Sequence, residues 1–190
     1  MTPPPIAAGK SSFDLVDVPL VFREIGLAEA SSFFDVACGI GRYTLAAAKA
    51  IKPEGIVYAA DLWTEGIATL RKSIEEQGLA NIEPIHADVS KKLPLDDHSI
   101  DICFMATVLH DLVHDHTDQG ALAEIRRVIR PGGTFAVVEF KKTGDGPGPP
   151  LPIRLAPEEV AALLAPFGFH RHKLFDTGPH TYCITLTAAA

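Results

Sequence analysis

Residues 32–49, SFFDVACGIGRYTLAAAK, constrain the fold of this chain more than any other stretch. An apolar run at residues 33–37 stops at Cys38-Gly39-Ile40-Gly41, and a small-residue helical pattern begins at Arg42. This order predicts a strand, a glycine turn and a helix, as in a nucleotide-binding βα unit. Glycine turns without a Cβ clash and lets a ligand lie against the main chain, toward which the free N–H groups of the helix point.

The rest of the sequence alternates strand and helix patterns. The predicted strands are residues 32–37, 55–61, 82–86, 100–106, 134–139, 167–176 and 181–187. The predicted helices are residues 13–27, 42–51, 64–77 and 119–130 and one that starts near 156, with a loop or broken helix at 108–118. Such alternation predicts a parallel sheet with right-handed crossovers. The short link between the last two strands makes one of them antiparallel to its neighbour.

Composition predicts a single globular domain of residues 13–190 after a mobile N-terminal segment, residues 1–12. The 190 residues are 47% hydrophobic, and the net charge of -7 argues against non-specific nucleic-acid binding. Three cysteines are too few and odd in number for a disulfide framework. The sequence shows neither a signal-peptide pattern nor an apolar stretch long enough for a membrane span, which predicts a cytoplasmic protein without membrane contact.

Three segments resemble a known family. D-x-A-x-G-x-G, which begins at Asp35, resembles motif I of the class I S-adenosylmethionine-dependent methyltransferases, with Ala37 in place of the first glycine. P-L-x-D-x-S-I-D at residues 94–101 and R-x-x-R-P-G-G at 127–133 resemble the ubiquinone- and menaquinone-biosynthesis C-methyltransferases. The resemblance covers residues 30–188. It implies a Rossmann-like doubly wound α/β sheet of seven strands in the order 3-2-1-4-5-7-6, with S-adenosylmethionine as cofactor and S-adenosylhomocysteine as product.

Acidic residues near the strand ends are the main predicted cofactor contacts. Asp61, about 20 residues after the turn, can accept both ribose hydroxyls, or it can cap the next helix at Thr64. The resemblance implies that Asp35 holds the methionine moiety and Asp88 the adenine amino group; the alternatives are a turn-capping acid and a solvated loop acid. The predicted cofactor site comprises Asp35, Ala37, Cys38, Gly39, Gly41, Asp61, Leu62, Asp88, Val89, Ala106 and Thr107.

His110 and Asp111 follow the fourth predicted strand and are the predicted catalytic residues at the substrate mouth. His110-Asp111-Leu112-Val113-His114 also resembles a H-E-x-x-H zinc motif if it is helical. Nothing fixes a third ligand, although His116 is near, so no metal is predicted. The other interpretations are a polar loop beside a cleft, or a His110 that orients the substrate or accepts its proton.

Further residues are candidates for the substrate wall. They are Glu139, Lys141, Lys142 and Arg154 and the segment 178–182. The predicted function is in-line methyl transfer to a small-molecule acceptor. A nicotinamide-dependent oxidoreductase is an alternative, against which stand Thr44 at the third glycine position and the acid Asp35. A non-catalytic cofactor-binding or regulatory protein is another. The sequence does not indicate an oligomeric state.

Overall fold

A single mixed sheet organises the chain in the computed structural model, which describes residues 9–144 and 146–190. Its seven strands stand in the order β3-β2-β1-β4-β5-β7-β6. β7 is antiparallel to both β5 and β6, and the other pairs are parallel. The predicted fold and strand order are confirmed. The strands are β1 (Ser32–Val36), β2 (Ile56–Asp61), β3 (Ile82–His86), β4 (Ile100–Ala106), β5 (Ile129–Phe140), β6 (Phe169–Asp176) and β7 (Thr181–Ala188).

Helices cover the sheet, and neighbouring side chains of each inner strand point to opposite faces. The helices are α1 (Val18–Glu24), α2 (Arg42–Ala50), α3 (Thr64–Gln77), α4 (Leu109–His114), α5 (Asp118–Val128) and α6 (Pro157–Leu164). Phe34 belongs to an apolar cluster that holds buried residues of α5 and α6. Its neighbour Phe33 belongs to a second cluster, with α1 and α2. The inner strands are therefore buried on both faces, as parallel strands require.

Three predicted boundaries are wrong. The helix predicted at 13–27 is a 3₁₀ turn, Phe13–Leu15, followed by α1, because the Asp17 side chain accepts the Leu20 N–H at 3.0 Å and starts a new helix. The helix predicted to reach 130 ends at Val128, and β5 begins at Ile129 rather than at 134. Ile129 pairs with Ile100, and an irregularity in the register accommodates the residues before Thr134. The last boundary is the start of β6 at Phe169 rather than 167, after a second 3₁₀ turn, Ala165–Phe167.

The N-terminal segment is described from Gly9 onward, so most of the segment predicted to be mobile lies outside the described residues. Ser12 is buried, and its hydroxyl lies 3.0 Å from the Tyr43 hydroxyl, which ties this residue to α2. Among the described residues, no helix has the length and apolar character needed to cross a membrane.

Candidate functional site

The acidic residues singled out from the sequence meet at one edge of the sheet. Asp35 lies next to the end of β1, Asp61 ends β2, and Asp88 follows β3 by two residues. Thr107 follows β4 directly, and Glu139 is the second-last residue of β5. Because β1 to β5 are parallel, their carboxyl ends share an edge, where ligands of open α/β sheets bind.

Asp61 joins the glycine turn to the start of α3. One carboxylate oxygen accepts the Gly39 N–H at 2.7 Å, and the other accepts the Trp63 N–H at 2.7 Å. The α3 helix has no side-chain cap, so Asp61 contacts the residue before the helix rather than capping it at Thr64. Each carboxylate oxygen keeps an unused lone pair that a ligand could reach. Ala37, Gly39 and Gly41 have φ values of 57°, 58° and 78°, so the chain turns sharply beside Asp61.

The space beside the turn is open at Gly39 and filled at Gly41. A Cβ built on Gly39 would meet no heavy atom within 4 Å. A Cβ on Gly41 would collide with the Leu70 side chain of α3. Gly41 is therefore needed for helix packing, whereas the backbone at Gly39 is bare toward the site. Cys38, which directly precedes Gly39, is partly buried.

Asp35 is a buried acid with an unusual pKa. It is 2% exposed, and it accepts a hydrogen bond from the Thr44 hydroxyl at 2.5 Å. Its pKa is raised from 3.8 to about 7, because burial and, to a smaller extent, the charge of Asp61 raise it more than the Thr44 hydrogen bond lowers it. The carboxyl is therefore close to half-ionised at neutral pH, and a cation in the site would favour its ionised form.

The predicted adenine side of the site contains one half-buried acid and one exposed leucine. The Oδ1 atom of Asp88 accepts the Ser90 N–H at 2.9 Å and the Ser90 hydroxyl at 2.6 Å. Within the described residues, Oδ2 of Asp88 has no hydrogen-bond partner and is the oxygen that a ligand could reach. Leu62 is 56% exposed, whereas Val89 is 6% exposed and packs in the core.

Thr107 carries the chain from β4 toward α4 with a φ of 56°, a conformation uncommon for a residue with a branched Cβ. Its N–H donates to the Val138 carbonyl at 2.7 Å, which fixes Ala106 and Thr107 beside the end of β5. Its hydroxyl donates to the Ser12 hydroxyl at 3.1 Å. Ser12 is not among the residues predicted from the sequence, because a serine in a Pro-, Ala- and Ser-rich segment gives no pattern that could indicate this contact.

His110 and Glu139 form a buried pair at the ends of β4 and β5. His110 Nδ1 lies 2.7 Å from Glu139 Oε2, and the His110 backbone N–H donates to Oε1 at 3.1 Å. Asp111 is half-buried, and its Oδ1 lies 3.5 Å from His110 Nε2. Burial lowers the pKa of His110, but the hydrogen bond and charge of Glu139 and the charge of Asp111 outweigh burial, so the net direction is upward.

The other predicted wall residues divide into buried and surface contacts. Arg154 is 5% exposed and donates to backbone carbonyls of residues 141, 146, 147 and 149, so it anchors the loop after β5. Lys141 and Lys142 instead pair with Asp176 and Glu159. In the segment 178–182, the Thr181 hydroxyl donates to the Leu15 carbonyl at 3.2 Å, which packs that segment against the N-terminal turn.

Two further observations concern ligands. Among residues 9–144 and 146–190, no group of three His, Cys, Asp or Glu side chains is arranged to hold a metal ion. An apolar groove of about 840 Å³ lies away from the acidic edge and is lined by α1, α2 and the turn at residues 26–29. None of the predicted cofactor or catalytic residues lines this groove.

Comparison with known proteins identifies the family. Residues 34–137, more than half of the chain, match the family described as "Methyltransferase domain". The chain belongs to this family. A structure of a SAM-dependent methyltransferase from Aquifex aeolicus has a TM-score of 0.85 and 28% sequence identity, over 95% of this chain and 94% of that one. The family resemblance seen in the sequence is confirmed.

Curated relatives are longer than this chain. The demethylmenaquinone methyltransferase of Geobacillus stearothermophilus is 30% identical over 119 residues, 63% of this chain and 49% of that protein. The ubiquinone/menaquinone biosynthesis C-methyltransferase UbiE of Ectopseudomonas mendocina is 32% identical over 121 residues, 63% of this chain and 46% of that protein. The chain thus spans about half the length of these relatives. The [4+2]-cyclase SpnF, 19% identical with a TM-score of 0.76, shares the fold alone.

Proposed function

We propose that this protein transfers a methyl group from S-adenosylmethionine to a small-molecule acceptor and releases S-adenosylhomocysteine. The observation that carries the proposal is the hydrogen bond of 2.7 Å between the Gly39 N–H and the Asp61 carboxylate. It holds a carboxylate, a group that can accept two hydroxyls of a ribose, directly beside the bare backbone of a glycine turn. The family match over residues 34–137 and the SAM-dependent Aquifex aeolicus neighbour support the same donor.

Each end of the donor has a partner of matching chemistry. Asp61 would accept the ribose hydroxyls, and Asp88 would accept the adenine amino group through its free Oδ2 atom. Asp35 would face the methionine ammonium group. The turn at residues 37–41, the exposed Leu62, the adjacent Val89 and the backbone of Ala106 and Thr107 would complete the walls.

Bound in this way, the donor supplies a methyl group on a sulfonium, which is already a good leaving group. The residues of the chain therefore position the two reactants and exclude water. His110 and Asp111 lie at the end of β4, where the methyl group would point, and are the proposed catalytic pair. The function needs no covalent enzyme intermediate.

The names of the curated relatives favour a small-molecule acceptor. They do not assign a particular acceptor, because the chain spans only about half of the length of these relatives. We further propose a cytoplasmic protein that does not bind nucleic acid, in keeping with the net charge of -7 and the three free cysteines. A non-catalytic cofactor-binding protein would bind the donor equally well and differs only in the absence of turnover.

Calorimetric titration with S-adenosylhomocysteine tests the assignment of Asp61. Asp61→Asn removes the charge but leaves an amide oxygen for one of the two backbone N–H groups. Hydrogen bonds to charged groups contribute roughly 1.5–3 kcal/mol each, so we expect the dissociation constant to rise at least about tenfold. The exposed Asp96→Asn is the matched control and should bind as wild type. An unchanged dissociation constant for Asp61→Asn would show that Asp61 only supports the turn.

A further inference from the structure

The His110–Glu139 pair is more completely enclosed than a solvated polar loop would be. Glu139 is fully buried, and His110 is 4% exposed. Glu139 contacts His110 twice, through the backbone N–H and through Nδ1, so both the helix start and the imidazole ring have fixed positions. Burying a carboxylate is costly unless a donor compensates it. The main compensating donors of Glu139 are supplied by His110, and the Phe140 N–H adds a longer contact of 3.3 Å.

The two ring nitrogens have different tasks in this geometry. A carboxylate accepts hydrogen bonds, so the Glu139 contact at 2.7 Å places a proton on Nδ1. In neutral His110 the lone pair then lies on Nε2. Within the described residues Nε2 makes no hydrogen bond, and the Oδ1 atom of the half-buried Asp111 lies 3.5 Å from it. Nε2 is thus the ring nitrogen that Glu139 leaves free, beside Asp111 at the carboxyl edge of the sheet.

We propose that His110 Nε2 accepts the proton of the methyl acceptor. Glu139 is the positioning residue that holds His110 in the required tautomer. The nucleophilic atom of the acceptor therefore carries an acidic proton. This inference rests on the proposed methyl transfer and names the class of its substrate. A hydroxyl or an N–H group belongs to this class; a thioether or a tertiary amine does not.

The step balances with the two reactants and His110. The acceptor atom forms a bond to the methyl carbon, and the bond between that carbon and sulfur breaks, with its electron pair left on sulfur. The proton of the acceptor moves to Nε2, and the resulting imidazolium keeps its Nδ1–H on Glu139. The products are the methylated acceptor, S-adenosylhomocysteine and protonated His110, which returns its proton to solvent.

The charges around His110 match a proton acceptor. Glu139 on β5 and Asp111 on α4 stabilise the imidazolium, and Arg154, which follows a 3₁₀ turn, opposes it. The upward net direction of the His110 pKa makes the ring a stronger base, and it also means that a larger share of His110 is protonated near neutral pH. Turnover should therefore rise with pH until His110 is neutral.

The first test needs no acceptor. Nitrogen-15 NMR of the protein with S-adenosylhomocysteine should show neutral His110 with its proton on Nδ1. Glu139→Gln, which keeps the shape of the side chain but removes its charge, should lower the His110 pKa. A neutral ring with the proton on Nε2, or an unchanged His110 pKa in Glu139→Gln, would overturn the role of Glu139.

The second test measures release of S-adenosylhomocysteine with catechol, a naphthohydroquinone, 4-nitrophenol and aniline, and with thioanisole and N,N-dimethylaniline as proton-free probes. We expect turnover only with proton-bearing probes. His110→Gln, whose amide can donate to Glu139 but cannot accept a proton, should reduce turnover at least tenfold. The loss of turnover in His110→Gln should be smallest for 4-nitrophenol, which ionises unaided at mildly alkaline pH.

These outcomes separate the inference from the proposed function. A protein that does not bind S-adenosylhomocysteine contradicts the proposed function itself. A protein that binds it overturns the inference if it turns over no proton-bearing probe, if it methylates the proton-free probes equally well, or if His110→Gln keeps wild-type turnover with an unchanged dissociation constant for S-adenosylhomocysteine.

Discussion

Asp35 and Asp61 lie on neighbouring strands beside the glycine turn, and the charge of Asp61 acts on the carboxyl group of Asp35. Asp61 has two backbone N–H partners, whereas Asp35 has one hydroxyl partner and is almost fully buried. The pKa of Asp35 is raised to about 7, mainly because its carboxyl is buried. A ligand ammonium group near Asp35 would compensate its charge, so binding and ionisation of this residue should be coupled.

The binding of S-adenosylhomocysteine should therefore depend on pH. If the ligand prefers ionised Asp35, its dissociation constant should fall about tenfold between roughly pH 6 and pH 8. Asp35→Asn cannot ionise and should bind weakly and with little pH dependence. Calorimetric titration of both proteins at the two pH values is the measurement. Equal pH dependence in wild type and Asp35→Asn would assign the effect to another group.

The same residue has a consequence for folding with a defined sign. Unfolded Asp35 loses its proton near pH 3.8, while the folded protein keeps it up to about pH 7. The folded state binds more protons between these values, so the contribution of Asp35 to the free energy of unfolding falls as pH rises through this window and is constant above it. This residue is thus less favourable for stability at the pH at which it is best suited to bind a cation.

The sequence predicted which residues gather at the carboxyl edge of the sheet, but not which contacts each of them makes there. Gly39 and Gly41 look alike in the motif, yet only Gly41 is needed for packing, against Leu70. That distinction depends on where α3 lies, which no local pattern contains. Ser12 and Glu139 are similar cases, because their partners Tyr43 and His110 are remote in sequence.

At the level of elements, the two segments that resemble the quinone methyltransferases bind each other away from the site. Arg127 donates to the Leu95 carbonyl at 2.8 Å and contacts Asp97 and Glu124. Arg130 pairs with Asp101, whose other oxygen accepts the N–H groups of residues 31 and 32. These contacts lie at the amino ends of β1, β4 and β5, opposite the strand ends that carry the acidic residues.

Arg127→Ala should therefore reduce stability without weakening the site. The Arg127 side chain is 20% exposed and joins the loop before β4 to α5. Loss of its charged hydrogen bonds should lower the free energy of unfolding by about 2 kcal/mol or more. Urea unfolding gives this value, with the exposed Lys92→Ala as the matched control. A raised dissociation constant for S-adenosylhomocysteine in Arg127→Ala would link this edge to the site.

Apart from the helix predicted at 13–27 and the start of β5, the helices and strands were predicted within a residue or two, whereas α4 lies in a segment predicted only as a loop or broken helix. The six residues of α4, Leu109–His114, are too few for an apolar stripe, and the helix starts after Thr107 in a positive φ. The first turn of α4 is fixed by the His110 N–H, which donates to the carboxylate of Glu139 near the end of β5. The early start of β5 has the same kind of cause, because Ile129 pairs with Ile100 of another strand.

For the whole molecule, alternation of strand and helix patterns and the family resemblance together predicted the sheet order, which the structure confirms. The acceptor could not be predicted in this way. The residues proposed to bind the donor lie within residues 34–137, which match the methyltransferase family, and the fold alone also occurs in the [4+2]-cyclase SpnF. If His110 lies at the acceptor site as proposed, the side chains around it, rather than the sheet, should determine the acceptor.

Ligand-induced stabilisation tests the choice of donor for the intact chain. A ligand at about 100 times its dissociation constant stabilises the folded state by roughly 2.7 kcal/mol, which corresponds to about 5–10 °C in Tm for a domain of this size. S-adenosylhomocysteine should produce this shift in a thermal unfolding experiment. NADH should not, because Thr44 replaces the third glycine of a dinucleotide fingerprint and ionised Asp35 would repel a pyrophosphate. The exposed Asp96→Asn should shift as wild type does, and Asp61→Asn should shift less at the same ligand concentration. A shift of equal size with NADH would contradict the assignment of the donor and favour the oxidoreductase alternative.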